Sequence, residues 1–275
     1  MEMRFPNWRK KAFTLSYDDG VLQDKRLIEI FKRYGLKATF NLNSGLMGRS
    51  YTHRGADHSH FKREEINEVY GGFEISSHTR NHPWLTKLDR KEKLIEIAED
   101  KQALEEITGS KVEGFAYPSG RFDDETVEIL KSVGIKYART IEDSDGFGIP
   151  EDFMRWNGTC RHRDERLFKL CADFLKDDDT IKLFYVWGHS YEFDIENNWD
   201  RIENFCEMVS GREDVWYADN ISVVRYTDAY RSLVCEEDVI YNPSDIDVYL
   251  VYDGISICVN GNKVYVNGNR AASQL

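Results

Sequence analysis

Carboxylate and imidazole side chains stand next to one another, or a few residues apart, at two places in this 275-residue chain. Asp18 and Asp19 are adjacent, and three residues separate His78 from His82. One carboxylate and two imidazoles form a three-ligand set that leaves coordination positions open for water and substrate, as a catalytic metal requires. The second carboxylate of the acidic pair is then available as a base.

Each of these features also has a purely structural interpretation. Asp18-Asp19-Gly20 is typical of a turn between a strand and a helix, because Asp and Gly favour turns and acidic residues suit a helix N-terminus. His78 and His82, taken alone, are compatible with surface or capping histidines. The combination of both features in one chain favours the metal site.

The apolar pattern predicts strands that alternate with helices. Residues 12–17 are an apolar run that ends at the acidic pair, and residues 22–34 show helical spacing up to Gly35, a typical helix end. The predicted strands are 12–17, 38–42, 73–76, 114–117, 135–140, 181–187 and 215–218, and the predicted helices are 22–34, 63–70, 89–107, 124–133, 165–175, 200–209 and 222–233. Seven such β-α units indicate an α/β fold with a parallel sheet and favour a closed barrel over an open sheet.

The reactive residue types follow the carboxyl ends of these predicted strands. The acidic pair follows the first strand and the two histidines follow the third. Tyr117-Pro118-Ser119-Gly120 follows the fourth strand, and Trp187-Gly188-His189 follows the sixth. Because such loops meet on one rim of a parallel α/β barrel, the sequence predicts a single site built from four distant segments.

The segments SYDDG, SSHTRNH, AYPSG and VWGH, in this order, resemble the motifs of polysaccharide deacetylases of the NodB-homology type, the fourth carbohydrate esterase family. The resemblance covers about residues 10–230. It implies a distorted (β/α)7 barrel. It also implies a metal-dependent hydrolase of carbon–nitrogen, but not peptide, bonds that removes N-acetyl or O-acetyl groups from an oligo- or polysaccharide and releases acetate.

The resemblance further implies roles for individual residues. Asp19, His78 and His82 are the expected ligands of a divalent metal ion, with Zn²⁺ expected first and Co²⁺, Ni²⁺, Mn²⁺ or Fe²⁺ as alternatives. Asp18 is the expected general base, and His189 is the expected general acid that protonates the leaving group.

The loop after the fourth predicted strand is expected to hold the oxyanion. The backbone N–H of Ser119 is the expected donor in this loop. Tyr117 and Trp187 are expected beside it on the substrate side, where sugar faces stack well on aromatic rings.

Two motifs of the family are altered in this chain. The third motif of the family reads Arg-x-Pro-aromatic-Gly, and its Arg holds the catalytic base, whereas Ala116 and Ser119 replace the Arg and the aromatic residue here. Either another cation orients Asp18, with Arg121, Arg155 and Arg161 as examples, or no cation does.

The second altered motif is the fourth, an Asp-x-x-Asp-Trp segment whose carboxylate pairs with the late histidine of the family. Residues 152–156, DFMRW, are the nearest match in position. Glu192 and Asp194 are alternative partners for His189. These alterations motivate a second hypothesis, a carbohydrate-binding pseudoenzyme. A third hypothesis is an amidohydrolase on a related barrel that cleaves a non-peptide C–N bond in a small cyclic amide or imide.

The formal charge of −12 makes nucleic acid and anionic membranes unfavourable partners and strongly anionic glycans less favourable substrates. The chain shows neither an apolar run long enough to span a membrane nor a signal peptide, so we expect a cytoplasmic protein. Its five cysteines lack a CxxC pair and are expected to be reduced thiols. The polar loop that contains His53, His58 and His60 is expected to be solvated.

The pattern changes after residue 233. Residues 238–266 read as antiparallel strands, with Asp253-Gly254 and Asn260-Gly261 as two-residue hairpin turns. The sequence therefore predicts a barrel domain of residues 1–233 and a small β appendage of residues 234–275. The appendage is expected to pack either on the barrel or on another subunit, and in the second case an oligomer forms through it.

Overall fold

The computed structural model describes residues 1–236 and 239–266. Within them the strands are β1 (Glu2–Arg4), β2 (Lys11–Asp19), β3 (Thr39–Leu42), β4 (Thr52–His53), β5 (Ala56–Asp57), β6 (Glu74–Ser77), β7 (Gly114–Ala116), β8 (Tyr137–Asp143), β9 (Trp156–Gly158), β10 (Cys160–Arg161), β11 (Lys182–Gly188), β12 (Val215–Tyr217), β13 (Val234–Glu236), β14 (Val239–Tyr241), β15 (Val248–Tyr252), β16 (Ile255–Val259) and β17 (Val264–Val266). The helices are α1 (Asp24–Arg33), α2 (Ile66–Tyr70), α3 (Arg90–Thr108), α4 (Asp124–Ser132), α5 (Leu167–Leu175), α6 (Glu192–Glu196), α7 (Trp199–Val209) and α8 (Asn220–Arg231).

The central sheet is parallel and nearly closed. Its strands follow the order β10-β11-β2-β3-β6-β7-β8-β9. Only Thr159 separates β9 from β10, so this one segment pairs with β8 at its start and with β11 at its end. Counted as one strand, it completes a ring of seven positions, which confirms the predicted distorted (β/α)7 barrel.

The seventh position of the ring differs from the sequence prediction. The strand predicted at 215–218 is the short β12, which pairs in the described residues only with Lys11–Phe13 at the start of β2. The ring is completed instead by residues 156–161, for which no strand was expected. This segment, WNGTCR, lacks the apolar run or alternation from which strands are predicted.

Aspartates and glycines set the ends of several helices. Asp89 accepts a hydrogen bond from the Glu92 N–H at the start of α3, and Gly109 ends that helix with a left-handed φ of 66°. Asp123 and Asp219 cap α4 and α8 in the same way. These caps fix the helices that cover the sheet.

Strand β2 lies in the middle of the sheet and is buried along all nine residues. It pairs with β11 over its first seven residues and with β3 from Ser16 onward. Aromatic rings pack against it, including Phe184 and Phe205 on Phe13. The acidic pair that ends β2 is therefore held in a buried position.

The C-terminal strands pack against the start of the chain. β15 pairs antiparallel with β1 and forms a hairpin with β16, and its turn has the positive φ angles of Asp253 (49°) and Gly254 (78°) that the sequence predicts. The second predicted hairpin is wrong. Asn260-Gly261 forms a turn, but β17 pairs with β14 and not with β16.

The predicted boundary at residue 233 and the oligomer contact stay predictions, and residues 237–238 and 267–275 of the predicted appendage lie outside the described residues. Among the residues with described structure, no helix is both long enough and apolar enough to cross a membrane.

The carboxyl group of Asp24, at the start of α1, is fully buried between two hydroxyl groups. It accepts hydrogen bonds from Ser190 Oγ at 2.6 Å and Tyr70 Oη at 2.7 Å. Burial raises its pKa to about 7, because the two hydrogen bonds offset only part of the lost hydration. Between about pH 4 and pH 7, the folded protein thus keeps a proton on this carboxyl group, whereas the unfolded chain has lost it.

We expect the free energy of unfolding to fall between about pH 4 and pH 7 through this group, since the unfolded state ionises first. Asp24→Asn removes this titration. The free energy of unfolding of the variant minus that of wild type should therefore rise by roughly 4 kcal/mol from pH 4 to pH 8. Urea unfolding in the presence of a chelator measures this difference. A difference that is constant with pH would contradict it.

Candidate metal-dependent active site

The carboxyl ends of the barrel strands place the predicted residues around one cavity of about 510 Å³. β2 ends in the acidic pair, β6 leads into the first two histidines, β7 leads into the turn 118–120, and β11 leads into the third histidine. All the predicted site residues line this cavity, namely Asp18, Asp19, His78, His82, Tyr117, Ser119, Trp187 and His189. The fold therefore brings the four distant segments together.

Three side chains in this cavity form a compact donor set. One ligand atom each from Asp19, His78 and His82 lies within 4.8 Å of the other two. Asp19 Oδ1 is 3.7 Å from His78 Nε2 and 3.8 Å from His82 Nε2. A carboxylate oxygen and two imidazole nitrogens at this separation suit Zn²⁺ or a similar divalent ion.

Hydrogen bonding fixes the tautomer of His78. Its Nδ1 lies 2.7 Å from the carbonyl oxygen of Ala116, so Nδ1 carries the proton and Nε2 offers its lone pair to the side of Asp19. Burial lowers the pKa of His78 to about 4, although the neighbouring carboxylates oppose this effect. The ring is therefore neutral near pH 7, as a metal ligand must be. The donor set fits a divalent cation.

Asp18 is buried, and an arginine keeps it ionised. Arg139 Nη2 donates a hydrogen bond to Asp18 Oδ2, and Asn41 Nδ2 donates to Asp18 Oδ1 at 2.8 Å. Burial alone would raise the pKa of Asp18, but the charge of Arg139, followed by His78 and His189, holds that pKa below its ordinary value. Asp18 is therefore a carboxylate that is ready to accept a proton.

Arg139 supplies the cation that the altered third motif lacks. It lies on β8 directly opposite Ala116 on β7, the position at which the family motif has its arginine. The guanidinium group therefore comes from the neighbouring strand, at the same level of the barrel as the arginine of the family motif. Sequence spacing gave no sign of this, because the pairing of β7 with β8 is not visible from the sequence.

The three arginines that the sequence suggested for this role are engaged elsewhere. Arg121 lies 4.4 Å over the ring of Trp84. Arg155 pairs with Asp124 and Asp152, and Arg161 pairs with Glu192. None of these candidates contacts Asp18 in the described structure, so that prediction is wrong.

His189 lies between the acidic pair and Glu192. Its Nε2 is 3.7 Å from Asp18 Oδ2, and its Nδ1 is 3.6 Å from Glu192 Oε2 and 2.9 Å from Arg161 Nη2. Burial would lower the pKa of His189, but Glu192 and the acidic pair raise it above its ordinary value. Glu192 is thus the carboxylate partner that the sequence left open.

The alternative partners of His189 have other contacts. Asp194 accepts hydrogen bonds from Gln23 Nε2 at 2.9 Å and Trp199 Nε1 at 2.7 Å. In the segment DFMRW, Asp152 accepts a hydrogen bond from the Met154 N–H at 2.8 Å and begins a short turn. Both carboxylates stabilise local structure.

The histidine loop before α2 is solvated in its first half, as expected, but its end is buried. His58 and His60 are each 5% exposed, and His58 Nε2 lies 3.5 Å from Asp19 Oδ2, the oxygen that does not face the other two histidines. The contact lowers the pKa of Asp19 further, together with the charges of the nearby imidazoles, against the effect of burial. His58 thus orients the carboxylate of the metal-binding set.

Tyr117 and Trp187 are walls of the cavity and are almost fully buried. The Tyr117 hydroxyl donates to the Met154 carbonyl at 2.8 Å, and the Trp187 ring lies 4.3 Å from Arg139 and 4.9 Å from Arg161. The contacts of Trp187 place the two arginines beside the site.

A further cavity of about 570 Å³ lies at the opposite end of the sheet, beside Glu74. Glu74 accepts hydrogen bonds from the hydroxyls of Thr39 and Tyr137 and from the Ile221 N–H, at 2.6, 2.8 and 3.0 Å. Glu74 is thus occupied by hydrogen bonds that stabilise the fold. The cavity around Asp18, which all the predicted site residues line, is therefore the candidate active site.

Comparison with known sequences shows similarity to polysaccharide deacetylases in about half of the chain. A family profile described as polysaccharide deacetylase matches residues 6–138. A curated Bacillus subtilis (strain 168) protein, the polysaccharide deacetylase candidate YxkH, is 27% identical over 135 residues. These residues are 48% of this chain and 46% of that protein, so the match spans about half the length of the relative.

Solved structures share the fold over most of the chain. A polysaccharide deacetylase candidate from Mycobacterium smegmatis has a TM-score of 0.63 at 16% identity, over 86% of this chain and 98% of that one. The Xyl-CE4 domain of a multidomain xylanase from the hindgut metagenome of Trinervitermes trinervoides has a TM-score of 0.53 at 15% identity, over 80% and 92%. At these identities the comparison shows the barrel alone.

The contact of His58 with Asp19 gives a prediction for metal affinity. Loss of a hydrogen-bonding partner behind a metal ligand typically costs about 10–100-fold in affinity, so we expect His58→Ala to weaken Zn²⁺ binding by that factor. Competition with a fluorescent chelator measures the affinity. His60→Ala is the matched control, because it removes a buried imidazole from the same loop without a direct contact to Asp19. Equal affinities in wild type and His58→Ala would contradict the role.

Proposed function

The chain is similar to the polysaccharide deacetylases, as its four motifs predict, and from this similarity and the site we propose that it is a metal-dependent carbohydrate deacetylase. Its reaction would hydrolyse an N-acetyl or O-acetyl group of an oligo- or polysaccharide and release acetate. One observation carries the proposal. A buried, ionised carboxylate, Asp18, lies beside a three-ligand set in the same cavity as His189.

The residues of the cavity divide the chemistry between them. Asp19, His78 and His82 would hold the divalent ion, which supplies Lewis acidity that acidifies water and polarises an acetyl carbonyl. Asp18 accepts a proton from the water that attacks the carbonyl carbon, because Arg139 and Asn41 keep it ionised and fixed.

Two groups on the other strands complete the reaction. The backbone N–H of Ser119, in the turn after β7, is the proposed donor to the developing oxyanion. His189 donates a proton to the leaving nitrogen or oxygen of the sugar, and Glu192 stabilises its protonated form. The products are acetate and a free amine or hydroxyl group.

Acetate release with and without the base tests the proposed function. Metal-loaded protein should release acetate from at least one of N-acetylchitooligosaccharides, acetylxylan and peptidoglycan fragments. Asp18→Asn should lower the rate by about 10²–10⁴-fold, a typical loss for a general base, while the bound metal stays. Elemental analysis measures the metal in both proteins. If metal-loaded wild type released acetate from none of the three substrates, this result would contradict the deacetylase and favour the pseudoenzyme.

The position of the cation beside Asp18 gives a second test. Arg139→Ala should lower kcat/KM by about tenfold or more, because Asp18 loses its charged partner. The double variant Ala116→Arg/Arg139→Ala returns a guanidinium group to the paired position on β7 and should recover most of that loss. Circular dichroism checks that both proteins fold. Failure of the double variant to exceed Arg139→Ala would show that the cation acts on Asp18 only from β8.

A further inference from the structure

A second cavity, of about 490 Å³, adjoins the site on the side of His189. Three arginines line it, Arg54 from the β4–β5 turn, Arg161 from β10 and Arg163 just after β10. Arg161 and Tyr191 also line the cavity that holds Asp18. The two cavities therefore lie next to each other, with Arg161 and Tyr191 at their common boundary.

The cations in this cavity outnumber its carboxylates. Glu192 and Glu196 are the acidic residues in its wall. Glu192 Oε1 lies 2.5 Å from Arg161 Nη2 and 3.3 Å from Arg163 Nη1. In the described part of the chain, Arg54 forms no ion pair. The wall thus has a surplus of one positive charge.

Both oxygens of the single buried carboxylate, Glu192, lie close to basic side chains. The side chain of Glu192 is 8% exposed, and its second oxygen faces His162 at 3.3 Å and His189 at 3.6 Å. A guanidinium group has five N–H donors, so three of them provide many more donors than two carboxylates can accept. The side chain of Arg163 is 45% exposed, so part of its guanidinium group stays open to solvent.

We propose that this arginine-lined cavity is a subsite for a negatively charged group of the substrate. The preferred substrate would then be an acetylated saccharide with a carboxylate or phosphate group on a sugar next to the one that is deacetylated. Planar guanidinium groups bind both anions through paired hydrogen bonds. This inference rests on the proposed deacetylase function.

The subsite differs from the expectation drawn from the net charge. A charge of −12 on the whole chain disfavours anionic glycans at long range. However, charges farther away than about 8–10 Å are largely screened at physiological salt, whereas contacts inside a cavity are screened much less. The local surplus of arginine, and not the sum over the surface, determines what binds there.

Matched pairs of substrates test the subsite. The carboxylate pair is a hyaluronan tetrasaccharide and the same tetrasaccharide with its carboxyl groups reduced to alcohols. The phosphate pair is N,N′-diacetylchitobiose with and without a 6′-phosphate. We expect kcat/KM for acetate release to favour the acidic member of at least one pair by about tenfold or more, since hydrogen bonds to charged groups are stronger than those between neutral groups. The pair that shows the preference identifies the anion.

Variants connect the preference to the cavity. Arg54→Gln/Arg163→Gln should bring the ratio of kcat/KM for the acidic substrate to kcat/KM for the neutral one close to one. A change in the chemical step affects both substrates and leaves this ratio unchanged. Arg63→Gln is the charge-matched control, because Arg63 is exposed and pairs with Glu106 on α3. It should keep the wild-type ratio. Equal use of acidic and neutral substrates by wild type, or an unchanged ratio in the double variant, would overturn the subsite.

Calorimetric binding of the same saccharides separates this inference from the proposed function. If no saccharide releases acetate but the acidic member of a pair binds more tightly, and the double arginine variant loses that preference, the subsite is supported and the deacetylase is not. If acetate is released and the acidic and neutral members bind equally, the deacetylase is supported and the subsite is overturned.

Discussion

Two adjacent carboxylates end a strand that is buried along its whole length, and the residues around them keep both ionised. Burial alone would raise the pKa of each carboxyl group. Arg139 opposes this effect at Asp18, and several imidazoles oppose it at Asp19. A protonated Asp19 would be a poor metal ligand, and a protonated Asp18 could not act as a base. The cation on β8 and the histidines on the loops are therefore conditions for any chemistry in this cavity.

The backbone at the site adopts conformations that are costly for residues other than glycine. Asp19, Thr79, His82 and Ser119 have φ angles of 80°, 67°, 57° and 53°. Each such residue costs on the order of 1 kcal/mol, which the surrounding packing must offset. Asp19 ends β2, and the other three residues follow β6 and β7, so the strained positions gather at the carboxyl ends of the strands that build the site. This arrangement turns the side chains of Asp19 and His82 toward each other.

The sequence predicts the strands that carry the acidic pair and the histidines, because their apolar runs and the glycines that end the helices are local signals. It also predicts that these residues meet, because parallel strands of a barrel share one rim. What it misses depends on contacts between distant residues. Arg139 is 121 positions from Asp18, and only the pairing of β7 with β8 shows that it replaces an arginine at position 116. Likewise, the polar composition around His58 gives no sign that the loop folds over Asp19.

The segment 156–161 is the clearest case of a structural element without a local signal. It has no apolar run, yet it closes the barrel between β8 and β11 and carries Arg161 to the side of His189. Arg161 contacts His189 and also lines the arginine-lined cavity. It is positioned by a strand that can be recognised only once the whole barrel is known.

Anomalous diffraction at the zinc absorption edge, from a crystal of the Zn²⁺-loaded protein, tests most directly whether the acidic pair serves a metal. The structure predicts a strong peak within about 2.0–2.2 Å of an Asp19 oxygen and of Nε2 of both His78 and His82, with Asp18 outside this shell. A zinc peak next to other side chains, or within bonding distance of Asp18, would contradict the assignment of Asp19 as ligand and Asp18 as base, on which the proposed function depends.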